Sequence, residues 1–169
     1  MAPAAADPSP GQPLYDLVDA AAQRLQTADP VAASKWLGGG PITDPVRVQQ
    51  VLAAVSTDAE SAGLPTDYVT RVFSDQIAAT EAIQYSRFSW WKLDPAAAPA
   101  SAPDLSASRQ AIDVLNHRIV AEIAEEWQVL RSPVCSATLA ATKSAVAADR
   151  ALDPLYVQAL DAATRSYCG

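Results

Sequence analysis

Apolar side chains recur every three or four residues along most of this chain, the spacing that places them on one face of an α-helix. Alternating β-branched and aromatic runs, which would indicate strands, are absent from the sequence. The pattern predicts helices over residues 14–28, 30–37, 45–62, 66–91, 106–131, 136–149 and 154–167. We therefore expect an all-α fold, a single-domain bundle of about six to seven helices.

Asp-Pro pairs mark several of the expected helix starts. Aspartate is a favoured N-cap residue, and proline is favoured at the first helical position. The pairs within the expected domain are Asp29-Pro30, Asp44-Pro45, Asp94-Pro95 and Asp153-Pro154. The run from Gly38 to Pro41 is a firm break, and the prolines within residues 94–104 predict an extended connector.

Length and charge limit the classes of partner. A chain of 169 residues fits one domain, with 50% hydrophobic and 18% charged residues as in globular proteins. The formal net charge of −7 argues against nucleic acid or anionic lipid as the main partner. No apolar run approaches the roughly 18–20 residues that cross a membrane. We expect neither a nucleic-acid nor a membrane partner.

The first 13 residues are rich in alanine and proline and lack the basic start and apolar stretch of a signal peptide. We interpret residues 1–13 as a flexible end, left after Met1 replaced an export signal. Residues 14–169 are then the folded domain.

Six polar side chains lie on or beside the apolar stripes: Arg24, Lys35, Arg47, Thr80, Gln84 and Arg109. Four of them are cations, in a chain with only 12 lysines and arginines. A cation inside a helical bundle is costly unless an anion meets it. The pattern predicts a preformed pocket for a small anion with more than one negative charge. Taken singly, each long basic side chain also fits a position at the edge of a stripe, from which it reaches solvent.

Other site chemistry has little support. The sequence has one histidine, His117, and shows no metal-ligand cluster, nucleophile–base pair or glycine-rich phosphate loop. A reaction that needs no protein nucleophile or proton relay fits better. The two cysteines, Cys135 and Cys168, are either unrelated small hydrophobic residues or one disulfide, which would indicate an exported protein.

Several motifs in order resemble the all-helical AroQ-type chorismate mutases. They are Arg24 followed by Lys35, Asp44-x-x-Arg47, and Thr80-x-x-x-Gln84. The stretches ADPVAASKW, DYVTRVF, ATEAIQYSRFSWWKL and DLSASR resemble the exported gamma subclass of that family. The similarity covers residues 14–168, nearly the whole chain.

The resemblance implies a cofactor-free conversion of the dianion chorismate to prephenate. It implies that Arg24 and Arg109 clamp the carboxylates with help from Thr80, and that Lys35 and Gln84 donate to the ether oxygen. Arg47 and the backbone around Asp44 would face the substrate hydroxyl. The resemblance also implies a Cys135–Cys168 disulfide, export to the periplasm or medium, and a homodimer with a complete site in each chain.

The chain departs from relatives of the gamma subclass in two respects. Those relatives often have glutamate at the position of Gln84, so we expect activity that changes little with pH. Some of them have a polar residue at the position of Val48 or Val51, so we expect fewer contacts to the substrate hydroxyl. Two alternatives remain. One is an isochorismate pyruvate lyase on the same bundle, and the other is an exported helical binding protein without activity.

Overall fold

The computed structural model describes residues 7–169, and these residues form helices connected by short turns. The helices are α1 Tyr15–Leu25, α2 Ala28–Gly38, α3 Pro45–Ser61, α4 Thr66–Leu93, α5 Leu105–Glu125, α6 Trp127–Leu130, α7 Cys135–Asp149 and α8 Pro154–Ala163. Seven of the helices in this part of the chain have ten or more residues, and it contains no strand, which confirms the all-α prediction. The predicted flexible segment falls partly on residues 1–6, which lie outside the described residues.

The helices pack around α1, which is almost completely surrounded. Leu17, Val18 and Leu25 have no exposed surface, and α1 packs against α4, α5, α7 and α8. The 28-residue α4, about 42 Å long at 1.5 Å per residue, packs against α2, α3 and α8. Because α2, α3 and α5 also contact one another or α4, five helices converge on the side of the bundle where the polar residues lie.

Two of the four Asp-Pro predictions identify capped helix starts. Asp44 accepts a hydrogen bond from the backbone N–H of Arg47 (3.1 Å), and Asp153 accepts one from that of Tyr156 (2.9 Å). Asp94-Pro95 begins only a 3₁₀ turn, Pro95–Ala97, within the predicted connector. Asp29-Pro30 is wrong as a helix start, because α2 begins at Ala28 and Pro30 fits within its first turn.

Three predicted helices are too long. The helix predicted over residues 14–28 ends at Leu25, the helix predicted over residues 106–131 divides at Glu126 into α5 and α6, and the last helix ends at Ala163 instead of Tyr167. Beyond α8 the chain turns so that Cys168 forms a disulfide with Cys135, the first residue of α7. This bond confirms the disulfide interpretation of the two cysteines.

No helix within residues 7–169 is long and apolar enough to cross a membrane. The same residues contain no group of histidine, cysteine and carboxylate side chains that is placed to hold a metal ion.

Candidate active site

A cavity that opens to solvent lies among α1, α2, α3, α4 and α5. Its wall is apolar over a large part, from the side chains of Val31, Ile42, Val48, Val51, Ile77, Leu105 and Ile112. The polar lining is formed by Arg24, Lys35, Asp44, Arg47, Thr80, Glu81, Gln84 and Arg109. An apolar lining with several polar side chains that converge on one space is typical of a small-molecule site.

The structure brings all seven residues predicted for substrate binding or catalysis to this cavity. One or two come from each of five helices: Arg24 from α1, Lys35 from α2, Asp44 and Arg47 from the start of α3, Thr80 and Gln84 from α4, and Arg109 from α5. All of them belong to one chain. Successive cations are 11, 12 and 62 residues apart in the sequence, so only the packing of the helices places them around one space.

Arg24 is the most buried cation of the site, with 3% of its surface exposed. Its Nε donates to Oδ1 of Asn116 (2.6 Å), and its Nη1 donates to Oγ1 of Thr80 (3.3 Å). Burial, and secondarily the nearby Arg47, lower the pKa of Arg24 to about 10, so the group stays charged at neutral pH. Its position in the last turn of α1 favours a cation, because the carbonyl groups there carry partial negative charge.

Lys35 occupies the equivalent position in the last turn of α2 and is 9% exposed. The helix ends at Gly39, whose positive φ of 73° lets the chain turn back over the cavity. Nζ of Lys35 then donates to the carbonyl of Ile42 in that turn (2.6 Å). Burial and, to a lesser extent, the charge of Arg109 lower the pKa of Lys35 below its usual range.

Arg47 and Arg109 lie nearer the mouth, and each forms an ion pair. Nη2 of Arg109 contacts Oδ2 of Asp44 (3.1 Å), and Nη2 of Arg47 contacts Oδ1 of Asp113 (2.7 Å). The backbone N–H of Arg47 lowers the pKa of Asp44, with the charge of Arg109 acting in the same direction. Arg109 and Asp113 are spaced i,i+4 on α5 but do not pair with each other, since each pairs with a residue at the start of α3.

The two polar side chains of α4 face the cavity one turn apart. The hydroxyl of Thr80 donates to the carbonyl of Gln76 (2.8 Å) and accepts from Arg24, so in this structure it orients that guanidinium. Gln84 is 4% exposed, and its Oε1 has no hydrogen-bond partner among the described residues. A buried unpaired amide oxygen is costly, and Oε1 of Gln76 and the hydroxyl of Tyr167 share this feature within residues 7–169.

The cations at the mouth of the cavity form ion pairs, and the cations deeper inside it do not. Arg47 and Arg109 have aspartate partners, whereas Arg24 and Lys35 form no ion pair with any carboxylate of residues 7–169. Desolvation without a counter-charge costs several kcal/mol per ion. The interior of the cavity is therefore suited to a small anion, whose carboxylates would provide the missing negative charge.

Sequence analysis missed Asn116, which contacts the guanidinium of Arg24 from α5. It is 4% exposed and lies four residues after Ile112 and three before Ile119, on the inward stripe of its helix. The periodicity that selected Arg24 and Gln84 would have found it too. Glu81 also lines the cavity and accepts a hydrogen bond from the hydroxyl of Thr43 (3.3 Å).

The fold and the cavity define a helical-bundle protein with a cation-lined site suited to a small anion. The family profile described as chorismate mutase type II matches residues 15–85. The secreted chorismate mutase of Mycolicibacterium smegmatis is 60% identical over 156 residues, which are 92% of this chain and 86% of the relative. That of Mycobacterium tuberculosis is 57% identical over 92% of this chain and 78% of the relative. The chain belongs to the chorismate mutase type II family and is an isomerase.

Solved structures agree with this assignment. The crystal structure of chorismate mutase from Burkholderia phymatum has a TM-score of 0.86 and 34% identity, covering 92% of this chain and 96% of the other. That of Burkholderia thailandensis has a TM-score of 0.87 and 32% identity, covering 92% and 98%. The secreted chorismate mutase from Yersinia pestis shares the fold at 24% identity and a TM-score of 0.74.

Proposed function

We propose that this protein converts chorismate to prephenate by a cofactor-free [3,3]-sigmatropic rearrangement within its own cavity. The observation that carries the proposal is the pair of buried cations, Arg24 and Lys35, which line one cavity from different helices and form no ion pair with a carboxylate of residues 7–169. Chorismate is a compact dianion with two carboxylates, a hydroxyl group and an ether oxygen. Its charge is what the interior of the cavity lacks.

The first task of the site is to hold the substrate in a compact, chair-like conformer. Arg24 is expected to bind one carboxylate and Arg109 the other, because a planar guanidinium can form two parallel hydrogen bonds with a carboxylate. Thr80 is expected to assist at Arg24, and Arg47 with the backbone at Asp44 to face the substrate hydroxyl. The apolar wall around Val48 and Val51 excludes water and limits other conformers.

The second task is to stabilise negative charge that grows on the ether oxygen as its C–O bond breaks and a C–C bond forms. Lys35 and the amide of Gln84 are expected to donate to that oxygen. A millionfold acceleration requires about 8 kcal/mol of transition-state stabilisation. Preorganised charged donors in a water-poor cavity are a sufficient source, and the rearrangement itself requires no proton transfer or covalent intermediate.

Export and dimerisation complete the proposal. The disulfide and the relatives named as secreted support an exported protein, periplasmic or released. Exposed apolar side chains near the C-terminal ends of α2 and α4, namely Leu37, Tyr85, Trp90 and Leu93, support a homodimer. Each chain would carry a complete site, since the cavity is lined by one chain. Sedimentation of a monomer at micromolar concentration would contradict the dimer and leave the mechanism untouched.

The test is a chorismate-depletion assay on the wild type beside Arg24→Ala and Lys35→Ala. We expect each variant to lose at least about a hundredfold in kcat/KM, with helicity by circular dichroism unchanged. Isochorismate is offered in parallel, and release of pyruvate from it would favour the lyase alternative. A wild type that consumes neither substrate would refute the proposed activity.

A further inference from the structure

Asn116 has a buried amide that accepts a hydrogen bond from an arginine, whereas four other arginines of residues 7–169 have an aspartate as their partner. Arg47, Arg87, Arg109 and Arg150 each pair with an aspartate. Arg24, more buried than any of these, instead donates its Nε to the neutral amide oxygen of Asn116 at 2.6 Å. A carboxylate at that distance would neutralise the guanidinium, whereas an amide accepts the same hydrogen bond without adding charge.

We infer that Asn116 is a positioning residue, which fixes the orientation of Arg24 while leaving its positive charge available to the substrate. The inference rests on the proposed function. Two hydrogen bonds set the plane of the guanidinium, one from Nε to Asn116 and one from Nη1 to Thr80. Nη2 donates to no group of residues 7–169, so the Nη1–Nη2 edge remains for a carboxylate.

The helices explain why this contact is preorganised. Asn116 lies in the middle of α5, and α1 packs closely against α5, so both partners are anchored on rigid elements. The side chain of Asn116 is 4% exposed and has little room for another rotamer. A group held in this way spares the substrate the cost of ordering Arg24 when it binds.

Substitution of Asn116 by an acid of the same shape distinguishes two roles. The residue could orient a charged Arg24 for the substrate, or it could merely accept a buried hydrogen bond. Asn116→Asp keeps an oxygen acceptor for Nε but adds a negative charge that competes with the substrate carboxylate. We expect KM for chorismate to rise about tenfold or more, with helicity retained. Gln158→Glu, which adds the same charge at an exposed position of α8, should match the wild type. Wild-type kcat and KM in Asn116→Asp would overturn the inference, because a merely structural acceptor would be replaced adequately.

Removal of the acceptor tests orientation without changing the charge. In Asn116→Ala we expect kcat to fall about tenfold, since Arg24 stays cationic but is no longer aligned. Arg24→Lys lacks Nε, so Asn116→Ala in that background should cost less than about twofold more. A full tenfold further loss there would show that Asn116 does not act through Arg24.

The double-mutant comparison decides the matter if Asn116→Asp does not fold. The single-variant assays separate the two proposals. A wild type that is inactive on chorismate refutes the mutase activity. An active wild type with an equally active, folded Asn116→Asp refutes only the role of Asn116.

Discussion

Replacement of Gln84 by glutamate converts a donor that works at any pH into one that must first bind a proton. The amide of Gln84 is 4% exposed and faces the cavity that also contains Lys35. In the proposed mechanism its NH₂ group donates to the ether oxygen at every pH. In Gln84→Glu the protonated acid donates, whereas the ionised carboxylate repels the charge that grows on that oxygen.

The magnitude follows from the burial of the site. Desolvation raises the pKa of a carboxyl group and a nearby ammonium group lowers it, so we expect the pKa of the new acid at about 5–7. With a pKa of about 6, half of the enzyme is protonated at pH 6 and about one hundredth at pH 8. kcat/KM should then fall about tenfold for each pH unit above the pKa, which is about 1.4 kcal/mol per unit.

The assay is chorismate depletion between pH 5 and pH 8 at constant ionic strength, for the wild type and the variant. The wild type should vary less than about threefold, because the amide of Gln84 does not titrate over this range. Gln50→Glu, at an exposed position of α3, is the matched control and should keep the wild-type profile. A Gln84→Glu enzyme with a flat profile and undiminished activity would refute the role given to Gln84 at the ether oxygen.

Two further predictions concern the disulfide and the apolar wall of the cavity. The Cys135–Cys168 bond joins residues 33 positions apart and should contribute about 3–4 kcal/mol in the chain-entropy model, so full reduction should lower Tm by roughly 6–16 °C. Thermal unfolding with and without dithiothreitol measures this, and the sequence has no third cysteine to complicate it; an unchanged Tm after verified reduction would contradict the prediction. Val51→Gln places an amide in the apolar wall of the cavity. We expect KM to fall about threefold, because the amide would contact the substrate hydroxyl. We also expect Tm to fall by a few degrees, because Val51 is 4% exposed and the new amide would be buried. Steady-state kinetics and thermal unfolding check both effects, with exposed Val46→Gln as the control; a KM that stays the same or rises would be evidence against a hydroxyl contact at this position.

Helical periodicity and local capping chemistry are enough to predict the class of fold and the faces of the helices. Asp44 and Asp153 precede proline and cap their helices, because capping depends on atoms only three residues away. Thr80 and Gln84 were recognised as inward-facing since helical periodicity fixes which face a residue occupies. The division of the helix at Glu126 was not foreseen, because no glycine or proline marks it.

The partner of each charged side chain, by contrast, depends on how the helices pack. Arg47 pairs with Asp113 and Arg109 with Asp44, contacts that span 66 and 65 residues of sequence. Periodicity gives the direction of a side chain from its own helix, but a partner depends on how two helices cross. For the same reason the sequence indicated that Arg24 points inward, and the packing of α1 on α5 showed that a neutral asparagine, and no aspartate, meets it there.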